Sequence, residues 1–270
     1  MSSVVIVGSG LAGWTAVREL RKLDKALPVT LVTADSGDFY SKPMLSNALA
    51  QGKTPAQLVG TAADAMAAQL GVRLLKETRA SGIDRARKAL LTDRGEVPYA
   101  RLVLALGADP IRLTLAGNAA DAVLSVNDLA DYARLRAALD GVRSVAILGA
   151  GLIGCEFAND LAAADHAVTV LDPAAWPLAT LLPQAAGEAL IAPLEKLGVT
   201  WRLGQAVTQV DHSESGYRLT LGNGETLSID LVLSAVGLRP RIALAKDAGL
   251  AVNRGIVADA FLRTGDQDIF

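Results

Sequence analysis

The fold is decided by the stretch Val4-Val5-Ile6-Val7-Gly8-Ser9-Gly10-Leu11-Ala12-Gly13 and by its near-copy Val145-Ala146-Ile147-Leu148-Gly149-Ala150-Gly151-Leu152-Ile153-Gly154. In each copy an apolar strand runs directly into Gly-x-Gly-x-x-Gly, and a helix-like stretch follows. One glycine of this motif permits the tight turn, another lets the backbone approach a pyrophosphate, and another lets the helix pack on the strand. Because the motif appears twice, the sequence predicts two dinucleotide sites with electrons passing between their cofactors.

The two copies continue in the same order, with a helix, a second strand and an acidic residue: Trp14–Leu23, Val29–Val32 and Asp35, then Glu156–Ala164, Ala167–Leu171 and Asp172. An acid about 20 positions after the last glycine accepts hydrogen bonds from ribose hydroxyls. At Asp172 it would also repel a 2′-phosphate, which favours NAD(H) over NADP(H). Asp35 is equally compatible with a solvated loop acid, because Asp38 lies at the same strand end.

Each copy closes with strands joined by a glycine-bearing turn and then a buried-looking strand, which ends in Gly-x-x-Pro at 107–110 and at 237–240. A repeat of this length indicates duplicated domains, since solenoid repeats have much shorter periods. Between the copies, residues 125–140 are predicted to form one helix, with Asp128 as its N-cap and Gly141 as its stop. We expect this helix to link the domains and not to carry chemistry.

The composition excludes several classes of function. The 270 residues carry a formal net charge of −2, which gives no indication of binding to nucleic acid. No apolar run reaches the roughly 18 residues of a membrane helix, and a strand begins where a signal peptide would, so we expect a cytoplasmic protein without membrane insertion. Cys155 is the only cysteine, with two histidines besides, so neither a disulfide nor a metal site is expected. Any redox chemistry must then be carried by bound cofactors.

Four stretches resemble the FAD-dependent pyridine nucleotide oxidoreductases, and within them the bacterial rubredoxin–NAD(+) reductases: YSKPMLS at 40–46, GAGLIGCEFANDL at 149–161, SAVGLRPR at 234–241 and GLAVNRGIV at 249–257. The resemblance implies an α/β fold of two Rossmann-like, ββα-type domains, with the NAD domain inserted in the FAD domain and a C-terminal interface domain missing. It implies an FAD domain formed by residues 1–108 and by a truncated second part at 237–270. The inserted NADH domain would comprise residues 109–236.

The resemblance also implies a role for individual residues. FAD would be held by Gly8, Gly10, Leu11, Ala12 and Gly13, with Asp35 on its ribose and Lys42 and Pro43 along the flavin. NAD(H) would be held by Gly149, Gly151, Leu152, Ile153 and Gly154, with Asp172 on its ribose and Glu156 near the nicotinamide and flavin ring. Gly107 and Gly237 complete the cofactor-binding set. Other interpretations stay open: Lys42 as a surface lysine, Glu156 as a complement to the helix dipole, and Cys155 as a small packed residue.

The chain departs from the family pattern at two places. Some relatives have a lysine directly after the Leu-Ser of the P-x-L-S motif, where it can pair with the glutamate beside the flavin. Here that position is Asn47, so a salt bridge from it to Glu156 is unavailable. The family's third flavin motif, a strand followed by Ala-x-Gly-Asp, would begin where residues 264–270 end. We therefore expect a chain that is cut short within the FAD domain.

The absence of cysteine from residues 38–50 selects among branches of the family, because disulfide reductases need a cysteine pair beside the flavin. Without a thiol relay, the resemblance implies that NADH gives hydride to flavin N5 and that single electrons leave for rubredoxin, supporting for example alkane hydroxylation. One alternative is a reductase for a 2Fe–2S ferredoxin in an oxygenase system. Another is an NADH-sensing flavoprotein that resembles apoptosis-inducing factor.

Overall fold

The structure, a computed structural model, describes residues 3–270, so the first two residues of the predicted FAD domain lie outside the description. The described strands are β1 (Val4–Val7), β2 (Val29–Val32), β3 (Phe39–Tyr40), β4 (Val59–Thr61), β5 (Arg73–Leu75), β6 (Ala80–Asp84), β7 (Ala89–Thr92), β8 (Gly95–Pro98), β9 (Arg101–Leu104), β10 (Ala108–Pro110), β11 (Ser144–Leu148), β12 (Ala167–Asp172), β13 (Val199–Leu203), β14 (Val207–Ser213), β15 (Gly216–Leu221), β16 (Thr226–Ile229), β17 (Leu231–Ser234) and β18 (Leu238–Pro240). The described α-helices are α1 (Leu11–Leu23), α2 (Pro55–Leu58), α3 (Ala63–Leu70), α4 (Leu129–Ala138), α5 (Leu152–Ala163), α6 (Gln184–Glu188), α7 (Ile191–Glu195) and α8 (Ala243–Asp247). Short 3-10 helices span Lys42–Ser46 and Ala120–Ala122.

The described chain forms two compact units. The first comprises the residues up to Lys42, Val59–Asp109 and Arg239–Phe270, and the second comprises Pro43–Leu58 and Pro110–Leu238. Each unit contains a four-stranded parallel sheet, in the order β5-β2-β1-β9 in the first unit and β13-β12-β11-β17 in the second. Each also contains a three-stranded antiparallel sheet, β6-β7-β8 and β14-β15-β16 respectively. The predicted α/β fold with two Rossmann-like domains is therefore confirmed.

The inner strand β1 is apolar along its whole length, and β11 is apolar from Val145 to Leu148, as suits strands that helices and neighbouring strands cover. All four residues of β1 are buried, and β1 pairs in parallel with both β2 and β9. Trp14 and Val17 of α1 are fully buried in the same core cluster as Ile6. In the second unit, Phe157 and Leu161 of α5 share a core cluster with residues of β11. A continuous apolar run is typical of a strand inside a parallel sheet.

The helix starts differ from the predicted ones in a consistent way. Helix α1 begins at Leu11 and not at Trp14, and α5 begins at Leu152 and not at Glu156. Both helices begin directly after the middle glycine of their loop, which has extended backbone angles and occupies the N-cap position. The first turn of each helix therefore lies inside the glycine motif, and the sequence analysis had assigned that turn to the loop.

The helix predicted for residues 125–140 is shorter than expected. Helix α4 covers Leu129–Ala138, and its N-cap is Asp128 as predicted, since the Asp128 carboxylate accepts the backbone N–H of Asp131 at 2.8 Å. The backbone N–H of Asn127 is donated to the Asp131 carboxylate at 2.8 Å. These reciprocal bonds satisfy donors at the helix start and prevent it from extending toward residue 125.

The last described residues extend the sheet of the first unit. Leu102 of β9 exchanges backbone hydrogen bonds with Asp268 and Phe270, at 2.8 Å each, in a parallel arrangement. The buried carboxylate of Asp268 forms ion pairs with Lys88 and Arg101, which hold this segment against β9. Residues 268–270 therefore lie beside the edge of the parallel sheet. Separately, no helix within residues 3–270 has both the length and the apolar character needed to cross a membrane.

Candidate functional site

The first glycine loop, Gly8–Gly13, contains two glycines that the fold itself requires. Gly8 has a φ of +108°, and a Cβ added there would lie 2.2 Å from the Ala105 carbonyl oxygen. A Cβ added at Gly13 would lie 1.8 Å from the Gly8 carbonyl oxygen. At Gly10, by contrast, no described atom comes within 4 Å of an added Cβ. Packing within the described chain gives no reason for glycine at position 10. The missing side chain leaves open space at the start of the helix.

The second glycine loop, Gly149–Gly154, repeats this division. A Cβ at Gly149, whose φ is +109°, would lie 2.7 Å from the Ala235 carbonyl oxygen, and one at Gly154 would lie 1.9 Å from the Gly149 carbonyl oxygen. At Gly151, no described atom lies within 4 Å of the added Cβ. In both loops the first and last glycines are required by packing within the chain, whereas the middle glycine leaves room for a ligand.

The helix that follows each loop has an N-terminus without a side-chain cap. Gly10 caps the 13-residue α1 and Gly151 the 12-residue α5, neither with a side-chain capping bond, and neither helix has an acid in its first turn. The first residues of both helices, Leu11 and Leu152, are about half exposed. Free N–H groups and the positive end of a helix dipole attract phosphate. The residues present therefore fit a dinucleotide pyrophosphate at each loop.

Asp35 is held firmly beside the first loop. Its Oδ1 accepts hydrogen bonds from the Ser9 hydroxyl at 3.0 Å, the Thr33 hydroxyl at 2.6 Å and the Gly37 N–H at 2.9 Å. Ser9 and Thr33 are buried, although Asp35 itself is exposed. Three donors on one oxygen restrict the carboxylate to one orientation, which argues against a freely solvated loop acid. The two hydroxyls escaped the sequence analysis, although a serine between the loop glycines was a visible signal.

Asp172 occupies the matching position in the second unit and is held by the main chain. Its Oδ2 accepts the Ala150 N–H at 2.6 Å, and its Oδ1 accepts the Ala174 N–H at 2.7 Å. Ala150 is the counterpart of Ser9 in the second loop. Each acid is thus attached to the middle of its own glycine loop, once through a hydroxyl and once through a backbone amide.

The predicted residues Gly107 and Gly237 lie at the carboxyl ends of the sheets. Gly107 follows β9 and Gly237 follows β17, both with positive φ. No described atom lies within 4 Å of a Cβ added at Gly107, and at Gly237 the nearest is a side-chain carbon of Ile111 at 3.5 Å. Gly107 therefore leaves free space at the carboxyl end of its sheet, and Gly237 lies at the corresponding end of the second sheet, where ligands of parallel α/β folds bind.

The P-x-L-S residues lie in the segment Pro43–Leu58, which belongs to the second unit, whereas Lys42 belongs to the first. Within the second unit, the buried hydroxyl of Ser46 donates to Oε2 of Glu156 at 2.5 Å. Asn47 donates its amide to the Pro43 carbonyl at 3.2 Å and lies 3.4 Å from the Ser46 hydroxyl. The glutamate therefore receives a hydrogen bond from the residue before the one where some relatives have lysine.

Two helices of the second unit hold the segment Pro43–Leu58 in place. The buried carboxylate of Asp160 on α5 accepts the N–H groups of Leu49 at 2.8 Å and Ala50 at 3.0 Å. From α4, the Tyr132 hydroxyl and the Arg136 guanidinium donate to the Lys53 carbonyl at 2.9 and 2.7 Å. The sequence analysis missed Asp160, although an acid four residues after Glu156 on a mostly apolar helix was a usable signal.

We expect Asp160→Ala to lower the free energy of unfolding by about 2 kcal/mol, because the Leu49 and Ala50 N–H groups lose a charged acceptor. Limited proteolysis should cut the segment Pro43–Leu58 faster in this variant. The control is Asn159→Ala, which alters an exposed neighbour on the same helix. Equal unfolding and equal proteolysis of the two variants would show that Asp160 does not anchor the segment.

A family model described as pyridine nucleotide-disulphide oxidoreductase matches residues 2–270. The chain belongs to this family. The chain is therefore an oxidoreductase, and membership of this family agrees with its α/β fold of two Rossmann-like units.

Three relatives of this pyridine nucleotide-disulphide oxidoreductase indicate its place in the family. The chain is 47% identical to the rubredoxin–NAD(+) reductase of Alcanivorax borkumensis, over all of the chain and 71% of that protein. It is 42% identical to the nitric oxide reductase FlRd–NAD(+) reductase of Aeromonas hydrophila, over 99% of the chain and 69% of that protein. The crystal structure of the ferredoxin reductase for the CYP199A2 system from Rhodopseudomonas palustris is similar with a TM-score of 0.92 and 28% identity, over all of the chain and 67% of that protein.

Despite the family's name, this pyridine nucleotide-disulphide oxidoreductase has one cysteine, Cys155, in the first turns of α5. Burial first, and then the carboxylates of Asp172 and Glu156, raise the pKa of Cys155 to about 11. Its sulfur lies 3.5 Å from the Ala150 carbonyl oxygen. A thiol with so high a pKa is protonated at neutral pH and is a poor nucleophile. These observations support a packing role for Cys155.

Proposed function

We propose that this chain binds FAD at the first glycine loop and NADH at the second, and that it transfers electrons from NADH to rubredoxin. The observation that carries the proposal is the pair of open positions at Gly10 and Gly151, each at the start of a helix without a side-chain capping bond. Two such positions in one chain match a reaction between two dinucleotides. The A. borkumensis relative, a rubredoxin–NAD(+) reductase, supports the choice of acceptor.

On the FAD side, Gly8, Gly10 and Gly13 would form the phosphate loop, with the amides of Leu11 and Ala12 facing the pyrophosphate. Asp35 would accept hydrogen bonds from the adenosine ribose hydroxyls. Lys42 and Pro43 would lie along the flavin. Gly107 would leave space at the sheet edge. We assign residues 1–108 and 237–270 to this FAD domain, except that the segment Pro43–Leu58 packs with the second unit.

On the NADH side, Gly149, Gly151 and Gly154 would form the phosphate loop, with the amides of Leu152 and Ile153 facing the pyrophosphate. Asp172 would accept hydrogen bonds from the ribose hydroxyls, Gly237 would contribute to the site at the carboxyl end of the sheet, and Glu156 would lie near the nicotinamide. We assign residues 109–236 to this domain. When bound, FAD supplies the chemistry, since it accepts a hydride and releases electrons one at a time.

The electrons would leave the flavin directly for the acceptor protein. The sequence has no cysteine other than Cys155, whose raised pKa makes it unsuited to thiol chemistry, so a thiol relay is not available. Rubredoxin is the acceptor we favour, with the cytoplasm as the location. A small 2Fe–2S ferredoxin is the second candidate, and the ferredoxin reductase of R. palustris supports it.

The test is NADH-driven reduction of cytochrome c by the chain supplied with FAD, with rubredoxin or a 2Fe–2S ferredoxin as mediator. We expect rubredoxin to raise the rate severalfold over ferredoxin at equal concentration. Omitting the mediator gives the background rate, and omitting FAD should abolish the reaction. A rate that ferredoxin raises and rubredoxin does not would favour the second candidate. Slow turnover with both mediators would favour an NADH-sensing flavoprotein.

A further inference from the structure

We propose that Ser46 is a positioning residue, which holds the Glu156 carboxylate toward the nicotinamide of the dinucleotide bound at Gly151. This inference rests on the proposed function of the second unit as the NADH site. It adds a residue from outside the glycine loop, and it assigns that residue a specific task. The task is to orient one carboxylate through a hydroxyl hydrogen bond.

The chemistry of the two acceptors near Ser46 determines the direction of its hydrogen bond. Ser46 is 3% exposed, and its hydroxyl has two acceptors in reach, the Glu156 carboxylate at 2.5 Å and the Pro43 carbonyl at 3.2 Å. A carboxylate accepts hydrogen bonds and attracts the donor more strongly than a neutral carbonyl does. The single hydroxyl proton is therefore donated to Glu156. The Asn47 amide donates to the Ser46 oxygen at 3.4 Å.

The position of Glu156 on its helix brings it near the proposed ligand. Glu156 is five residues after Gly151, which corresponds to about 7.5 Å along the helix axis. The Cα–Cβ bonds of a helix tilt toward its N-terminus, so the Glu156 side chain leaves α5 on the side of the end at which Gly151 lies. Glu156 is half-buried, which limits the solvent screening of its charge.

The segment that carries Ser46 is held by other contacts as well. The Asp160 carboxylate accepts hydrogen bonds from the backbone N–H groups of Leu49 and Ala50. The side chains of Tyr132 and Arg136 donate to the Lys53 carbonyl. None of these bonds uses the Ser46 hydroxyl. Removing that hydroxyl therefore leaves the segment attached to α4 and α5. The hydroxyl's own contribution can then be measured through Glu156.

The charge of the nicotinamide ring makes the effect specific. The ring is positively charged in NAD+ and neutral in NADH, so a carboxylate held toward it stabilises NAD+ more than NADH. Glu156→Gln should therefore weaken NAD+ binding about tenfold and affect a neutral-ring analogue less than threefold. Ser46→Ala should reproduce most of this difference, because the released carboxylate is free to turn away. Ser46→Thr, which keeps the hydroxyl, should bind NAD+ as the wild type does.

The experiment is isothermal titration of the FAD-loaded chain with NAD+ and with 1,4,5,6-tetrahydro-NAD, which has a neutral ring and cannot donate hydride. The variants are Ser46→Ala, Ser46→Cys, Ser46→Thr, Glu156→Gln and the double variant Ser46→Ala/Glu156→Gln. Gln51→Ala, at an exposed position of the same segment, is the control and should bind both ligands as the wild type does. Thermal unfolding of every variant checks the fold, and Ser46→Cys replaces Ser46→Ala if the latter unfolds.

A double variant that binds NAD+ no more weakly than Glu156→Gln alone would support the inference, since Ser46 then acts only through Glu156. Additive losses would overturn it, as would a Ser46→Ala effect of equal size on both ligands or no effect at all. A wild-type chain that binds neither ligand would overturn the proposed NADH site itself. That outcome is distinguishable because it concerns the wild type and not the variants.

Discussion

Gly151→Ala is expected to fold like the wild type and yet to weaken NADH binding about 100-fold. The backbone angles at Gly151, φ −74° and ψ −176°, are open to any residue, and no described atom lies within 4 Å of the new Cβ. The methyl group would occupy the space that we assign to the pyrophosphate, so the cost falls on the ligand and not on the fold. Thermal unfolding and equilibrium titration with NADH measure the two effects separately.

The neighbouring glycine should behave in the opposite way. In Gly154→Ala the new Cβ would lie 1.9 Å from the Gly149 carbonyl oxygen, so the loop or the helix must shift. We expect the free energy of unfolding to fall by about 3 kcal/mol or more, with loss of NADH binding as a consequence. Gly222→Ala is the control, since its Cβ would meet the nearest atom at an ordinary 3.8 Å in a turn of the same unit. Wild-type NADH affinity in Gly151→Ala would refute the assignment of the second loop.

The second large effect is expected on the choice of dinucleotide. In Asp172→Asn, the ratio of kcat/KM for NADH to that for NADPH should fall about 100-fold, because the repulsion of a 2′-phosphate is removed and one ribose acceptor is lost. Asparagine keeps one oxygen that can accept the N–H of Ala150 or Ala174, so the loop should stay folded. Steady-state kinetics with both dinucleotides at constant salt measure the ratio.

Asp230→Asn is a matched control for this substitution. Asp230 also accepts two backbone N–H groups, from Arg143 and Ser144 at 2.9 Å each, and these bonds hold the pKa of its carboxyl below the usual value. The bonds lie at the amino end of β11, whereas the glycine loop follows its carboxyl end. Asp230→Asn should therefore cost some stability and leave the dinucleotide preference unchanged. An equal change of preference in both variants would mean that Asp172 acts through stability alone.

Local features of the site could be predicted because each depends on only a few consecutive residues. The glycine loops, the strands that lead into them and the N-cap at Asp128 all follow from backbone angles and short-range hydrogen bonds. The helix starts were placed too late because the first turn of each helix lies inside the glycine motif, whose residues were assigned to the loop. The Ser9 hydroxyl was missed as a partner of Asp35 because the two residues are 26 positions apart, whereas Thr33, two positions from Asp35, was a local signal that was not used.

The sequence by itself determined that this chain has two strand–loop–helix units with an acid after each, since chain sterics within about 30 residues dictate them. Only the tertiary structure decided which residues hold the segment Pro43–Leu58. Ser46 meets Glu156 across 110 positions, and Asp160 meets Leu49 across 111. A carboxylate on a helix can accept a hydrogen bond from any segment that packs beside it, so no local pattern specifies its partner. The partner depends on which segment packs beside the helix, and the packing of the second unit's core determines that segment.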